Sequence, residues 1–413
     1  MRISRFAATS LAAMAAVSSA FAVDFTPISS TSTRMSITGF IQAYGTEYFN
    51  ASQGPTGAIG LDDRTAPDSQ FVDTVRTSRI TFTTVTPNPD LGDIGTTLEM
   101  DFAPSGGATS PHLRLAYGTW GNFTLGQNWS NWIDGDAAAD EVDWDGPVGQ
   151  ACYDVPRVLQ ASYKFVLDKK NSIILALEHN SGAGDGANWN GAAAVTAPGT
   201  GLSSTVQSAS ADAKYPNLVA AYQYYDKWGH IALRGLAQDY GVYALPGATG
   251  SARRPNKWGT AIQLSGQVNC FGLDVERDSF IYNIYTGSGL GPYGVGVQAA
   301  QYDPNSNTIK LYKNTGWTAG YTHTWTTTVR SNLVLSAVNF SSGDATTQPG
   351  DIKSQQDVEV NTFVKMNKSA EFGIEYMYET VKTFNPNDVL KSDGSTGDRN
   401  TSGKLEVELK FNF

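Results

Sequence analysis

Charge and long apolar runs are both scarce in this sequence. Charged residues make up 16% of the 413 residues, while aromatic residues reach 11%; soluble domains usually carry roughly 25% charged residues. This composition excludes a disordered chain and a coiled coil, because both need abundant charge and few aromatics. Beyond residue 22 there is no run of about 20 apolar residues, so the sequence predicts no transmembrane helix.

Cysteine, histidine and basic clusters are also scarce. Two cysteines, Cys152 and Cys270, are too few for a disulfide framework and lack metal-site spacing. The four histidines show no His-x-x-x-His spacing, so we expect no metal and no cofactor. Lys and Arg number 29 against 39 Asp and Glu, which gives a net charge of −10. Since no basic block is present, we expect no nucleic-acid partner.

The N-terminus carries the pattern of a secretory signal peptide. Arg2 and Arg5 precede a run of small and apolar residues, and Ala20-Phe21-Ala22 offers a small-x-small cleavage site. Such a segment is too short and wrongly flanked for a membrane anchor. We predict a signal peptide over residues 1–22 and export of the remaining chain; the alternative is a buried N-terminal helix.

A two-residue period dominates the rest of the chain and is clearest at the C-terminus. In segment 404–413 apolar residues alternate with charged or polar ones, the apolar set being Leu405, Val407, Leu409, Phe411 and Phe413. One apolar and one charged face, ending on a terminal Phe, is typical of an outer-membrane β-barrel strand, which meets lipid on one side and water on the other. The alternative is an amphipathic edge strand of a soluble sheet, which the export signal disfavours.

The same unit repeats along the chain, with alternating long loops and short turns. We predict 16 strands: 35–49, 74–85, 94–103, 113–120, 123–131, 158–166, 172–180, 217–227, 230–243, 258–270, 273–286, 316–326, 329–341, 355–367, 370–384 and 402–413. An even count with both ends on the short-turn side is what a closed single-chain barrel requires. The predicted fold is an all-β, 16-stranded antiparallel transmembrane barrel over residues 34–413. Residues 23–33 form a short periplasmic segment, and a further hairpin is possible near Asp303.

Aromatic residues fall at both ends of the predicted strands. Those next to short turns are Trp120, Phe123, Phe165, Trp228, Phe271, Trp325, Phe411 and Phe413; those next to long loops are Tyr48, Phe49, Tyr243, Tyr285, Phe340 and Phe384. Two such belts match the interfacial girdles of membrane barrels. A soluble sheet would scatter its aromatic residues.

The third long loop is the most distinctive segment. It holds six acidic residues within twelve positions and no basic one: Asp134, Asp136, Asp140, Glu141, Asp143 and Asp145. Trp132 and Trp144 lie among them, which indicates a packed loop, and large porins fold their third loop into the barrel. We predict an inward constriction loop; the alternative is an acidic loop outside the barrel.

Alternation predicts arginines on the water-filled side of the wall. The candidate pore-lining bases are Arg79, Arg114, Arg157 and Arg234. Arg114 is predicted inward together with Ala116 and Gly118, whereas Arg157 is out of phase by one residue with the inward set of its strand. An acidic loop facing these arginines would create a transverse field that orients dipolar or dianionic solutes.

Several segments resemble the DcaP-like outer-membrane porins. The resemblance is strong over about residues 36–166 and is carried by Gly39-Phe-Ile-Gln-Ala, Thr77-Ser-Arg-Ile-Thr-Phe, Thr97-Leu-Glu-Met-Asp-Phe, Leu113-Arg-Leu-Ala-Tyr-Gly and the stretch from Gly126-Gln-Asn-Trp-Ser to Gly146-Pro147. It implies a 16-stranded trimeric porin associated with uptake of dicarboxylic acids and other small anions. Some members carry a coiled coil before the barrel, whereas only residues 23–33 precede it here.

We therefore expect a porin in the outer membrane of a Gram-negative bacterium. It would pass small hydrophilic solutes passively and favour small anions such as dicarboxylates. Expected partners are these solutes, outer-membrane lipids, further copies in a homotrimer, and the barrel-assembly machinery, with Phe413 as the assembly signal.

The alternatives are a barrel enzyme of the lipase or protease type and a surface adhesion barrel with a binding loop over residues 181–216. Carboxylate pairs such as Glu99 and Asp101 could serve acid–base chemistry. Such pairs also arise without any catalytic role, because every second residue of a barrel strand faces the water-filled lumen and is commonly charged.

Overall fold

The computed structural model describes residues 23–25, 32–49, 69–89, 92–102, 111–142, 156–179, 195–196, 206–211, 213–246, 255–270, 278–294, 299–303, 306–347, 349–391 and 393–413. The predicted signal peptide and two of the acidic loop residues, Asp143 and Asp145, lie outside these ranges. No helix in the described part is long and apolar enough to cross a membrane.

Sixteen antiparallel strands form the barrel, as the sequence predicts. They are β1 (Arg34–Phe49), β2 (Ser69–Thr74 and Arg79–Thr86), β3 (Ile94–Asp101), β4 (His112–Trp120), β5 (Phe123–Trp129), β6 (Arg157–Val166), β7 (Asn171–Glu178), β8 (Asn217–Asp226), β9 (Gly229–Pro246), β10 (Asn256–Asn269), β11 (Ser279–Ser288), β12 (Lys313–Thr324), β13 (Val329–Ser341), β14 (Ile352–Lys365), β15 (Ala370–Thr383) and β16 (Arg399–Asn412). Each pairs with its neighbours in sequence.

One predicted strand is interrupted in the structure, and another is described only in part. β2 was expected as one strand but is interrupted over residues 75–78, where the Ser78 N–H donates to the Val75 carbonyl. β11 is predicted to start at residue 273, but residues 271–277 lie outside the described ranges; its described part begins at Ser279, and the Asp278 carbonyl accepts the Cys270 N–H.

The first and last strands close the barrel. β1 pairs with β16 from Phe40 opposite Asn412 to Phe49 opposite Gly403. Gly39 and Phe413 then exchange both of their backbone hydrogen bonds, at 3.0 Å each. A short strand, Val23–Phe25, continues this edge by pairing with Met35–Ile37. Closure leaves no open edge on the barrel, which hydrocarbon would penalise by several kcal/mol per unpaired group.

The two faces of each strand divide as lipid and lumen require. On β16 the side chains of Val407 and Phe411 are exposed on the outer surface, whereas Glu406 and Glu408 are buried inside. Each of these glutamates lies 3.1 Å from a lysine on the same face, Lys404 and Lys410 respectively. The charged face predicted for this strand therefore lines the lumen.

The aromatic girdle beside the short turns is present on the outer surface. Its exposed members include Trp120, Phe165, Trp325, Phe411 and Phe413. The girdle predicted beside the long loops is wrong for Tyr48, Tyr285 and Phe340, which are buried and face the lumen. Their positions near the long-loop ends of the strands suggested a girdle. Each is separated by an even number of residues from inward-facing residues of its own strand, however, so its side chain also faces the lumen.

Loops add further structure on the side opposite the short turns. The expected hairpin near Asp303 is formed by Ala300–Asp303 and Thr308–Leu311, with Asn307 in the left-handed region at φ 54°. A parallel pairing joins it to Val195–Thr196. The hairpin packs on Tyr240, an inward residue of β9, so the described part of the sixth loop (residues 289–312) covers this part of the barrel mouth.

Candidate functional site

The third loop comprises residues 130–156, and its described part, residues 130–142, turns into the barrel after β5. Trp132 and Val142 are fully buried, and the loop residues between them contact inward-facing side chains of the wall. A loop outside the barrel would leave these residues in solvent. The described part of the third loop thus lies inside the lumen, where it narrows the passage.

Asp134 is held by three wall side chains at once. The Ser265 hydroxyl of β10 donates to it at 2.5 Å, and from β9 the Arg234 Nη1 and His230 Nε2 lie 3.0 and 3.1 Å away. A buried carboxylate is tolerated when charge pairing and hydrogen bonds replace its hydration. Asp134 is 1% exposed, so this cluster is a structural anchor of the third loop.

The other loop acids also meet the wall. Tyr225 of β8 donates to Asp136 at 2.5 Å, and Arg330 of β13 donates to Asp140 at 2.5 Å. The same guanidinium is bidentate to Glu371 of β15, with distances of 2.6 and 3.1 Å. Glu141 is half-buried. Asp134, Asp136 and Asp140 therefore bind the wall and do not form a bare acidic surface.

Backbone groups of the loop complete its attachment. The Val142 N–H donates to Glu375 of β15 at 2.8 Å, and the Asp140 carbonyl accepts from Asn361 of β14 at 2.7 Å. At the other end, Glu178 of β7 accepts from Ser130 Oγ and the Asn131 N–H, both at 2.7 Å. The described part of the loop is thus bonded to the wall from β7 to β15.

Arg79 and Arg114 converge on one acceptor in the lumen. Arg79 Nη1 lies 3.5 Å and Arg114 Nε 3.2 Å from the same oxygen of Glu99, while Arg114 Nη1 lies 2.6 Å from Asp101. The Thr81 hydroxyl donates to the second Glu99 oxygen at 2.9 Å. This group, Arg79, Arg114, Glu99 and Asp101, is called the arginine pair site below.

A bulge places Arg114 in this site. The register between β3 and β4 shifts at Glu99 and Met100. As a result Ala116 lies opposite Leu98, an exposed lipid-facing residue. Ala116 therefore faces lipid, whereas alternation in the sequence predicted that it faces the water-filled lumen. The extra residue lets Arg114 turn inward although Ala116 turns outward, because a bulge shifts the alternation by one position.

The remaining two arginines lie apart from the pair site or at its margin. Arg157 begins β6, and its guanidinium lies 5.3 Å from the centroid of the Trp129 ring. Arg114 lies 5.8 Å from the same centroid, so Trp129 connects Arg157 to the pair site. Arg234 is committed to Asp134 and also donates to the Asn131 carbonyl at 3.2 Å.

Several residues that position the third loop were not predicted from sequence. They are Glu178, Tyr225, His230, Ser265, Arg330 and Asn361. Alternation gives the inward face of each, but not its loop partner, since the partners are up to 221 positions away. In the described ranges no three His, Cys, Asp or Glu side chains are arranged to hold a metal ion.

Fold and site together define an outer-membrane channel of the porin class. The barrel is closed, its outer face is apolar, and a folded loop narrows a charged lumen. The family model for the DcaP outer membrane protein matches residues 13–392, and the chain belongs to this family. It is accordingly a multi-pass barrel of the Gram-negative outer membrane.

Solved structures show the same fold. The outer membrane channel DcaP of Acinetobacter baumannii is 18% identical with a TM-score of 0.73, over 92% of this chain and 97% of that one. An anion-selective porin from Comamonas acidovorans is 11% identical with a TM-score of 0.57, over 92% and 100%. The in-vitro folded trimer form of OmpT from Vibrio cholerae is 9% identical with a TM-score of 0.51, over 92% and 99%. No curated protein matches the sequence.

Proposed function

We propose that this porin passes small polar solutes passively and favours small anions, in particular dicarboxylates. The observation that carries the proposal is the arginine pair site, where two guanidinium groups approach one carboxylate oxygen. Guanidinium forks suit carboxylates because they can bind both oxygens. Arg79 keeps a quarter of its side chain exposed, so a passing carboxylate has access to it.

Many lumen carboxylates are already engaged, which reduces their opposition to anions. Glu406 and Glu408 are each paired with a lysine, and Glu375 receives hydrogen bonds from Val142 and Asn361. Asp134 and Asp140 are paired with arginines. Weak attraction along a path supports conduction better than one tight site.

Solute flux through liposomes tests the anion preference. Replacing Arg79 and Arg114 together by Ala should lower succinate flux relative to a neutral sugar of similar size by about tenfold, roughly the loss of one charge-assisted hydrogen bond. Lys382→Ala is the matched control, because Lys382 pairs with Asp398 and both side chains are over 40% exposed. Equal losses for both solutes, or a cation-selective reversal potential in the unmodified protein, would reject the preference and leave the porin assignment intact.

We also propose that the protein is a homotrimer. Support comes from the family resemblance and from the trimer form of a structural relative, and closed symmetry is the usual state of homo-oligomers. Analytical ultracentrifugation in detergent should give a mass of three chains. A monomer mass under conditions that preserve channel activity would contradict this assembly.

We propose channel activity without hydrolysis in preference to a barrel enzyme. Glu99 and Asp101, the pair considered for acid–base chemistry, are both bonded to Arg114. A lipase and protease assay on the purified barrel should show no turnover. Hydrolysis that disappears with Glu99→Gln would support the enzyme instead.

A further inference from the structure

The sixth loop enters the lumen beside the third loop. Its first part, residues 289–294, includes a short helical turn, Gly291–Tyr293, and Leu290 and Tyr293 are each 1% exposed. They pack with Trp132 and Ile133 of the third loop and with Leu236 of the wall. Two loops thus share one apolar core inside the barrel.

Tyr293 joins this core to polar groups. Its backbone carbonyl accepts the Trp132 indole N–H at 2.9 Å, and its hydroxyl donates to Glu178 at 3.1 Å. Glu178 is the same carboxylate that holds Ser130 and Asn131 at the start of the third loop. The Tyr293 hydroxyl also accepts from Asn217 of β8 at 3.0 Å.

The sixth loop is itself fixed from the extracellular side. The Tyr240 hydroxyl donates to the Gly289 carbonyl at 2.9 Å. The Leu311 N–H donates at 2.7 Å to Asp344 of the seventh loop, which joins β13 to β14. Lys257, at the start of β10, pairs with the same Asp344. Contacts therefore run from the seventh loop through the sixth loop to the third loop.

We infer that the sixth loop is a second constriction element and that Tyr293 is the positioning residue through which it holds the third loop. The geometry supports this in two ways: Tyr293 bonds to Trp132 directly and to Glu178, the carboxylate that anchors Ser130 and Asn131. Both contacts are buried, so water cannot replace them without opening the core. The inference concerns pore geometry and is independent of the anion preference.

Two conservative substitutions test the role of Tyr293 in planar-bilayer recordings. Tyr293→Phe removes the hydroxyl from Glu178, and Trp132→Phe removes the indole donor from the Tyr293 carbonyl. When the third loop leaves its position, the channel should show a second conductance level. Each substitution should raise the fraction of time spent at that level by about fivefold, which corresponds to the loss of one hydrogen bond. Both substitutions act on one contact network, so their effects should not be independent. The fold-increase in the double variant should therefore be smaller than the product of the two single-variant fold-increases.

Tyr302→Phe is the matched control. Tyr302 is another fully buried tyrosine of the sixth loop, and its hydroxyl donates to Asn307 within the hairpin. Its current should match the unmodified protein. Tyr293→Phe and Trp132→Phe traces identical to the unmodified channel would overturn the inference. An equal change in Tyr302→Phe would do so too, since it would indicate general loosening of the sixth loop.

Discussion

Asp134 shows how one residue can bear much of a loop's attachment. It is nearly fully buried and has Arg234, His230 and Ser265 as partners, whereas Asp136, two positions later, is half-buried and accepts from Tyr225. Removing one partner from a buried ion pair leaves an uncompensated charge, which costs about 3–5 kcal/mol. Among the described residues Asp136 has a single uncharged donor, and losing one hydrogen bond to a charged group costs less, about 1.5–3 kcal/mol.

We therefore expect unequal effects from two matched substitutions in the third loop. Asp134→Asn should detach the loop from β9 and β10 and raise single-channel conductance and its fluctuations strongly, while Asp136→Asn should change them slightly. Both variants should keep the folded, heat-modifiable band on gels, because the barrel strands are untouched. Equal conductance changes in the two variants would contradict the assignment of Asp134 as the main anchor.

At the scale of an element, the extracellular end of the sixth loop depends on one carboxylate. Burial raises the pKa of Asp344, but the Lys257 ammonium and the Leu311 N–H outweigh it and lower the pKa below its ordinary value. A carboxyl with a lowered folded-state pKa stabilises the structure at neutral pH. That contribution is present above the ordinary pKa of an aspartate and is lost as the pH falls through the lower folded-state pKa.

Hydrogen exchange at Leu311 measures this contribution. Its amide protection, corrected for the intrinsic rate, should be constant from pH 7 to about 5 and fall below about 4. Asp344→Asn should reduce protection at neutral pH and remove the acid-dependent fall. Tyr240→Phe is the control, because the Tyr240 hydroxyl donates to the Gly289 carbonyl at the start of the same loop. Any loss of protection in this variant should be equal at neutral and at acid pH. A pH-independent amide in the unmodified protein would refute the role of Asp344.

The whole molecule depends on closure between its two ends. Phe413 exchanges two backbone hydrogen bonds with Gly39, and an added Cβ on Gly39 would lie 2.9 Å from the Phe413 ring. The terminal residue thus contacts the first strand through both backbone and side chain. It also completes the aromatic girdle beside the short turns.

Deleting Phe413 should reduce the amount of folded barrel in the outer membrane, because the last backbone pair and its aromatic cover are lost. The measurement is the heat-modifiable fraction recovered from outer membranes. Phe413→Tyr, which keeps the ring and the backbone, should assemble like the unmodified chain. Full recovery of the deletion variant would show that closure does not need its last residue.

The sequence by itself determined the strand count, the antiparallel barrel and the face of most strand residues. Alternation is a local property: lipid on one side and water on the other impose a period of two on each strand. Alternation placed Arg114 on the water side, where the structure also has it, but it placed Ala116 there too. It missed the bulge between β3 and β4, because a one-residue shift in pairing leaves no mark in composition. Only the register between these two strands decided the face of Ala116.

The tertiary structure alone decided how the lumen is filled. The contacts that hold the loops join residues far apart in the chain, such as Asp140 with Arg330 at a separation of 190 and Trp132 with Tyr293 at 161. An acidic run predicts that a loop needs partners but does not say which wall residues supply them. Those partners meet only after sixteen strands have closed, since closure sets the distances across the lumen.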